Sequence, residues 1–381
     1  MYVSGQSGIG RLIQALADSG HRVIGPRIRN QALVYDEIAA LDDLPKGWTD
    51  VQEPGHYRLE HRGGEKLFGY VVGAASWKQY VNPPEAVIWS GTRGKEGFTT
   101  DPSPAPVKYA FFGARPCELA AMRILDDVYA GNDGVPALGG YTATRAGVFV
   151  VAVNCGEPGG NCFCSSMGTG PTAKAGFDIA ITEITHDGNM RYLLESGSDK
   201  GAAMLRSLEG METATDAEIE SAEAMLAAAA ENMGKTLDTE DLPGLLKGNA
   251  LNPRWESVAD RCLACANCTM VCPTCFCNTV DDNLALDGSQ ATRTRKWDSC
   301  FTLGFSYMHG QPMREPVAAR YRQWMTHKLA TWVDQFGEMG CVGCGRCITW
   351  CPVGIDITQE AAAIRRADLR DTQIKVGGVT P

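Results

Sequence analysis

Two short apolar runs with an amphipathic segment between them mark the best-defined part of the amino-terminal half. Residues 107–112 and 147–154 are predominantly apolar, as parallel strands covered on both faces usually are. Between the two runs, apolar residues recur every three or four positions over residues 116–129, and Pro116 suits the first position of a helix. Strand, helix and strand in this order predict a right-handed crossover unit.

The pattern continues with two further strands and a helix. Residues 177–184 and 190–195 alternate between apolar and polar positions, as strands with one buried face do. Residues 216–233 are rich in alanine and predict a helix, which begins after Thr215 or Asp216 as its cap.

A polar segment separates this half from the rest of the chain. Residues 237–253 contain proline and glycine, which is typical of a linker. We therefore expect a mixed α/β domain at residues 1–250 and a second domain at residues 251–381. In the second domain, aromatic and apolar residues at helical spacing predict a core-packing helix over residues 315–336, and a final helix follows over residues 358–369. The predicted fold class is α+β.

Two cysteine motifs of identical spacing lie in the second domain. Both read C-x2-C-x2-C-x3-C-P, one over residues 262–273 and the other over residues 341–352. This spacing holds 4Fe–4S clusters, and in paired motifs the fourth cysteine commonly ligates the other cluster. We therefore assign one cluster to Cys262, Cys265, Cys268 and Cys351. The other cluster is assigned to Cys341, Cys344, Cys347 and Cys272.

Structural zinc is the alternative interpretation of these motifs. A zinc site favours two C-x2-C pairs separated by a loop, whereas each motif here places four cysteines within eleven residues. The spacing therefore predicts two 4Fe–4S clusters, and the helices between the motifs predict a helical dicluster ferredoxin domain.

Four more cysteines occur in the crossover unit and in the loop that follows it. Cys117 lies at the turn from the first strand to the helix, and Cys155 follows the second strand. Both are expected at the carboxyl edge of a parallel sheet, where ligands bind in such folds. Cys162 and Cys164 lie in the glycine-rich loop over residues 156–171. The four thiols predict either a third cluster or, as free cysteines often are, inert buried side chains.

Three further cysteines are surplus to these sites. Cys275 and Cys277 follow the first motif, and Cys300 follows Trp297. They are expected to pack against a cluster, to complete a third cluster, or to act on substrate sulfur, and the sequence does not choose among these roles.

Composition limits the compartment and the partners. The chain has 381 residues, fifteen cysteines and a net charge of −10. So many cysteines without an export signal favour metal ligation in a reducing cytoplasm over disulfides. The acidic charge argues against a nucleic-acid partner, and no apolar run is long enough for a membrane span.

Three closely spaced glycines near the amino terminus suggest a nucleotide-binding loop. Gly5, Gly8 and Gly10 resemble part of a dinucleotide-binding loop, but no strand is predicted before them, as that motif requires. We therefore expect no flavin in this chain and assign no catalytic residue to it.

Several longer segments together resemble the beta subunit of cytoplasmic sulfhydrogenases, which are NAD(P)-linked NiFe hydrogenases. The resemblance lies in Cys-Pro-Thr-Cys-Phe-Cys-Asn at 272–278, Phe-Gly-Ala-Arg-Pro-Cys-Glu at 112–118, Asn-Cys-Gly-Glu-Pro at 154–158 and Cys-Phe-Cys-Ser-Ser-Met-Gly-Thr-Gly-Pro at 162–171. Most of the chain is covered, and the combination is more specific than the cluster motifs alone.

The resemblance implies a non-catalytic electron-transfer subunit of an oxidoreductase complex. Its partners would be a flavin subunit that handles NAD(P)H and the small and large subunits of the hydrogenase. The A subunit of anaerobic sulfite reductase is also similar, so the alternative is the iron–sulfur subunit of an anaerobic sulfite or sulfur reductase.

Overall fold

The structure is a computed structural model of the chain. It describes residues 1–71, 73–102, 105–131 and 138–377, with side chains to residue 369. Among these, about 35% of residues are helical and 25% lie in strands, which confirms the α+β class. None of the described helices is both long enough and apolar enough to cross a membrane.

The described strands fall into one large sheet and three smaller ones. In chain order they are β1 Tyr2–Ser4, β2 Arg22–Arg29, β3 Ala32–Glu37, β4 Trp48–Glu53, β5 His56–His61, β6 Glu85–Gly94, β7 Gly97–Thr100, β8 Tyr109–Ala114, β9 Phe149–Val153, β10 Ile179–His186, β11 Asn189–Ser196, β12 Glu212–Thr213, β13 Asn278–Leu284, β14 Gln290–Trp297, β15 Tyr307–Met308 and β16 Gln311–Pro312.

The helices lie on both sides of the large sheet and around the cysteine motifs. In chain order they are α1 Gln6–Asp18, α2 Lys78–Val81, α3 Pro116–Tyr129, α4 Gly139–Ala146, α5 Asp199–Ser207, α6 Asp216–Glu231, α7 Leu242–Gly248, α8 Arg254–Ala259, α9 Asn267–Met270, α10 Val317–Thr326, α11 Trp332–Phe336, α12 Arg346–Thr349 and α13 Ile357–Gly377.

The large sheet is mixed and has the strand order β12-β1-β11-β10-β9-β8-β2-β3. Its centre is parallel, because β10, β9, β8 and β2 run in the same direction. Strand β9 is buried along its whole length, since separate hydrophobic clusters cover the two faces of the sheet. Both predicted apolar runs are therefore central strands, as their composition indicated.

The crossover unit is present as predicted, with small shifts at the strand ends. Helix α3 begins at Pro116 and ends at Tyr129 between the parallel neighbours β8 and β9. Because parallel strands end at one edge of a sheet, the residues after Ala114 and after Val153 come close together.

The second sheet joins distant parts of the chain and was not predicted. Its order is β13-β14-β6-β7, and all of its pairs are antiparallel. Strand β6 comes from the amino-terminal half and pairs with β14, which lies between the two cysteine motifs. The insert between the motifs is therefore partly β-structure and contributes to a sheet shared by both halves.

The long helix predicted over residues 315–336 is interrupted. Helices α10 and α11 are separated by one π-helical turn at His327–Thr331. Helix α11 ends at Phe336, and Gly337 after it has a left-handed conformation. A π turn inserts an extra residue and changes which side chains face inward. Here it contains Lys328, whose side chain is buried.

The prediction that no strand precedes the glycines at positions 5, 8 and 10 is wrong. Strand β1 precedes Gly5, and α1 follows directly. The strand is antiparallel to both of its neighbours, β11 and β12, so it does not open the parallel unit that a dinucleotide loop requires.

Candidate metal centres

Three groups of cysteines surround separate positions in the structure. Site 1 comprises Cys262, Cys265, Cys268 and Cys351. Site 2 comprises Cys341, Cys344, Cys347 and Cys272. Site 3 comprises Cys117, Cys155, Cys162 and Cys164.

Site 1 is a cavity between the two motifs. Three of its thiols come from the first motif, and Cys351 comes from the second. Ala264 and Ala266 have φ values of 49° and 66°, in the left-handed region, so the loop between the thiols turns tightly. Phe301 and Trp324 contribute apolar walls. The space at site 1, including the part open to solvent, is about 420 Å³.

Site 2 lies deeper in the molecule. The thiol of Cys347 lies near those of Cys341, Cys344 and Cys272, with which the spacing groups it, and also near that of Cys268 in site 1. Gly343 and Gly345 have φ values of 65° and 73°. A Cβ atom on Gly343 would lie 2.7 Å from the backbone nitrogen of Cys164. The second motif is therefore pressed directly against the loop that carries site 3.

A buried ammonium group contacts site 2. The Lys328 Nζ atom donates to Cys272 Sγ at 3.2 Å, to Thr274 Oγ1 at 2.9 Å and to the Gly340 carbonyl at 3.0 Å. Lys328 is only 4% exposed and forms no salt bridge with the carboxylates of the described chain. Burial opposes its charge, yet the neighbouring Cys272 and Cys275 thiols raise the pKa of Lys328 well above its ordinary value.

Site 3 is a cavity at the carboxyl edge of the large sheet. Cys117 lies in the first turn of α3, Cys155 follows β9, and the loop after β9 brings Cys162 and Cys164 to the same cavity. The space at site 3, including the part open to solvent, is about 440 Å³, close to that of site 1. The structure thus brings together all four cysteines that the sequence suggested as ligands of a third cluster.

Two guanidinium groups and one carboxylate border site 3. Arg346 donates to Glu118 Oε1 at 2.6 Å and to the Gly73 carbonyl at 3.0 Å. Glu118 also accepts from Tyr35 and from Trp77 Nε1. On the other side, Arg115 donates to the Asn154 carbonyl at 3.2 Å and to two further carbonyl oxygens. Both arginines line the cavity, so it is a positively charged pocket for anionic thiolates.

The three sites adjoin one another in a row. Cys347 of site 2 also lines the cavity of site 1, and Cys344 of site 2 also lines the cavity of site 3. Site 2 therefore lies between the other two, with one of its own thiols facing each neighbour.

The three surplus cysteines line neither the cavity of site 1 nor that of site 3. The Cys275 thiol lies near that of Cys272, and the Cys277 thiol lies near that of Cys300. Lys78 holds this segment through the carbonyl oxygens of Cys272 and Cys275, at 3.1 and 3.0 Å.

The donor sets fit iron–sulfur clusters. Within the described part of the chain, no three His, Cys, Asp or Glu side chains are arranged to hold a single metal ion. The thiols of sites 1 and 3 instead surround a space, as the ligands of a cluster with several iron corners must. Burial raises the pKa of Cys162 and brings that of Cys164 to about 12. Thiolates at site 3 consequently need a strongly bound cation, which a cluster supplies.

The buried cations were missed in the sequence. Lys328 lies at helical spacing within the apolar positions of residues 315–336. A lysine at such a position could have indicated a functional charge, because isolated charges are rarely buried. Arg346 follows two motif cysteines, and from the sequence alone it would be expected to be a solvent-exposed loop residue. Its burial against Glu118 depends on a contact between residues 228 positions apart.

Comparison with known proteins agrees with this geometry. Residues 261–355 match the family described as 4Fe-4S dicluster domain. Over 346 residues the chain is 29% identical to sulfhydrogenase 2 subunit beta of Pyrococcus furiosus, and the match covers 90% of this chain and 92% of the relative. No solved structure matches the chain. The chain thus contains a 4Fe-4S dicluster domain, and its resemblance to a sulfhydrogenase beta subunit is confirmed.

Proposed function

We propose that this chain is the electron-transfer subunit of a NAD(P)-linked NiFe hydrogenase complex and holds three 4Fe–4S clusters in a row. The observation that carries the proposal is the arrangement of sites 3, 2 and 1, in which site 2 shares a boundary with each of the others. A series of one-electron centres in one chain suits transport between two partners and needs no substrate pocket.

The proposed ligands are the twelve cysteines of the three sites. Clusters bound there would supply one-electron carriers whose potentials depend on charge, hydrogen bonds to sulfur and solvent exposure. The protein controls each of these quantities. Site 3 has buried thiols at Cys155, Cys162 and Cys164, and site 2 receives a hydrogen bond from Lys328.

The chain's own residues hold sites 2 and 3 close together. Gly343 permits the second motif to touch the loop of site 3, because any side chain there would collide with backbone atoms. The pair of Arg346 and Glu118 spans the same boundary, at 6% and 2% side-chain exposure. These contacts fix the separation of sites 2 and 3, on which the rate of electron transfer depends steeply.

The partners are inferred from the relative. A protein named as a sulfhydrogenase subunit beta works beside other subunits. We infer that one partner of this chain is a flavin subunit that exchanges hydride with NAD(P)H, and that the other is the hydrogenase, with its small and large subunits.

The test is to purify the tagged chain anaerobically with its native partners and to analyse metals. Three clusters predict about twelve iron and twelve sulfide per chain, and two clusters predict about eight of each. A co-purifying nickel subunit is expected. A sirohaem subunit would instead place the chain in a sulfite reductase, and zinc without sulfide would refute the cluster assignments.

A further inference from the structure

Site 1 is the only one of the three described sites with an exposed cysteine. Cys265 is exposed, whereas three thiols of site 3 and Cys272 of site 2 are buried. In the row of sites, site 1 is therefore the end that reaches the surface.

The lining of site 1 is mostly apolar and contains no charged side chain among the described residues. Leu263 is 64% exposed and Val353 is 36% exposed, and both line the cavity beside Pro352. The described lining contains no aspartate, glutamate, lysine or arginine. Exposed apolar side chains grouped around a functional site usually mark a contact surface.

The absence of charge from this described lining indicates the kind of partner. Diffusing electron carriers are commonly steered by complementary charge, and their association weakens with salt. An uncharged apolar surface gives no such steering and is more typical of permanent interfaces. The surface thus fits a stably bound subunit better than a mobile carrier.

We propose that the mouth of site 1, formed by Leu263, Cys265, Pro352 and Val353, is the docking surface for a permanently bound subunit that carries its own redox group. This inference rests on the proposed function. A second copy of the chain is a poorer occupant, because it would join two identical ends and leave electrons no outlet. A redox subunit seated there would continue the row of centres beyond this chain.

Photo-crosslinking of the native complex tests the proposal. The full-length tagged chain carries Leu263→p-benzoylphenylalanine, is purified anaerobically with its subunits, and is irradiated. Peptide mass spectrometry then identifies the captured chain. The matched control places the same group at Leu286, which is fully exposed in the turn between β13 and β14. Position 263 is expected to capture one other polypeptide with a flavin or iron–sulfur group, and position 286 is expected not to capture that peptide.

Two results would overturn the docking surface. One is a cross-link from position 263 to a second copy of this chain or to a chain without a redox group. The other is no cross-link at all from a complex that contains all of its subunits. Both leave the metal content unchanged, so they are distinct from failure of the proposed function, in which the unmodified chain would lack the iron and sulfide of its clusters.

A pair of charge substitutions gives a second measurement. Leu263→Glu is expected to raise the Kd of the partner about tenfold, because the interface would bury an unpaired carboxylate, and so to lower the ratio of bound partner to chain after extended washing. Leu286→Glu should leave both the Kd and this ratio unchanged. For the unmodified complex the ratio should be the same after washing at low and at high ionic strength. Full retention of the partner by Leu263→Glu, at the iron content of the control, would contradict the proposal.

Discussion

Replacing Lys328 by methionine should lower the reduction potential of site 2. Methionine keeps an unbranched apolar side chain but removes the ammonium group that lies 3.2 Å from Cys272 Sγ. A cluster gains one negative charge on reduction, so a nearby cation and a hydrogen bond to sulfur stabilise the reduced state more than the oxidised state. Losing them makes reduction less favourable.

The expected size follows from the burial of the contact. A hydrogen bond to a charged group contributes about 1.5–3 kcal/mol. If all of that energy distinguished the two oxidation states, the midpoint would fall by about 65–130 mV for a one-electron couple. Lys328 is almost fully buried, so solvent screens little of the effect, and we expect a decrease of about 100 mV.

The assay is an anaerobic redox titration of the holoprotein followed by electron paramagnetic resonance. Lys78→Met is the matched control, since Lys78 is equally buried and close to the same segment but donates to the carbonyl oxygens of Cys272 and Cys275. Its effect on the midpoint should be smaller. If Lys328→Met kept its iron and shifted the midpoint no more than Lys78→Met, the charge at Lys328 would not set the potential of site 2.

Three further perturbations test site 2, site 3 and the boundary between them. Cys344→Ser should remove one cluster, and with it about four iron per chain. It should also abolish NAD(P)-linked turnover of the complex, while hydrogenase activity with an artificial dye persists. Unchanged NAD(P)-linked turnover would contradict the role of this chain in electron transfer. Cys155→Ser in the full-length chain should lower the iron content by about four per chain, and an unchanged content would remove site 3. Glu118→Gln should lower the free energy of unfolding by about 3–5 kcal/mol, because it leaves Arg346 buried without its charged partner. Urea unfolding followed by tryptophan fluorescence measures this change. The control Glu338→Gln breaks a more exposed pair and should cost less than about 1 kcal/mol; equal costs would refute the role of the buried pair.

Local patterns were sufficient to predict the parts of the molecule that depend on neighbouring residues. The motif spacing predicts a thiol loop because the ligands of one cluster come mostly from one short segment. The crossover unit, with α3 beginning at Pro116, was predictable because periodicity and the position of proline agree there. From that unit, strand ends alone indicated that Cys117 and Cys155 would meet.

Contacts between distant segments were not predictable in this way. The pairing of β6 with β14 joins Trp89 to Arg293, and neither strand has a strong pattern of its own. The π turn at His327–Thr331 alters the inward face of a helix whose sequence reads as continuous. Both features depend on tertiary packing, which overrides local preference.

The charges buried around the thiols connect folding with cluster binding. Lys78, Arg115, Lys328 and Arg346 are each at most 5% exposed, and of these only Arg346 has a carboxylate partner among the described residues. Buried cations are costly unless negative charge lies nearby. With protonated thiols that negative charge is missing, whereas cluster-bound thiolates provide it. The cations that affect the potentials of the clusters should therefore also make the stability of the folded chain depend on the clusters. Loss of iron should then destabilise the boundary between sites 2 and 3 as well as the cysteine loops.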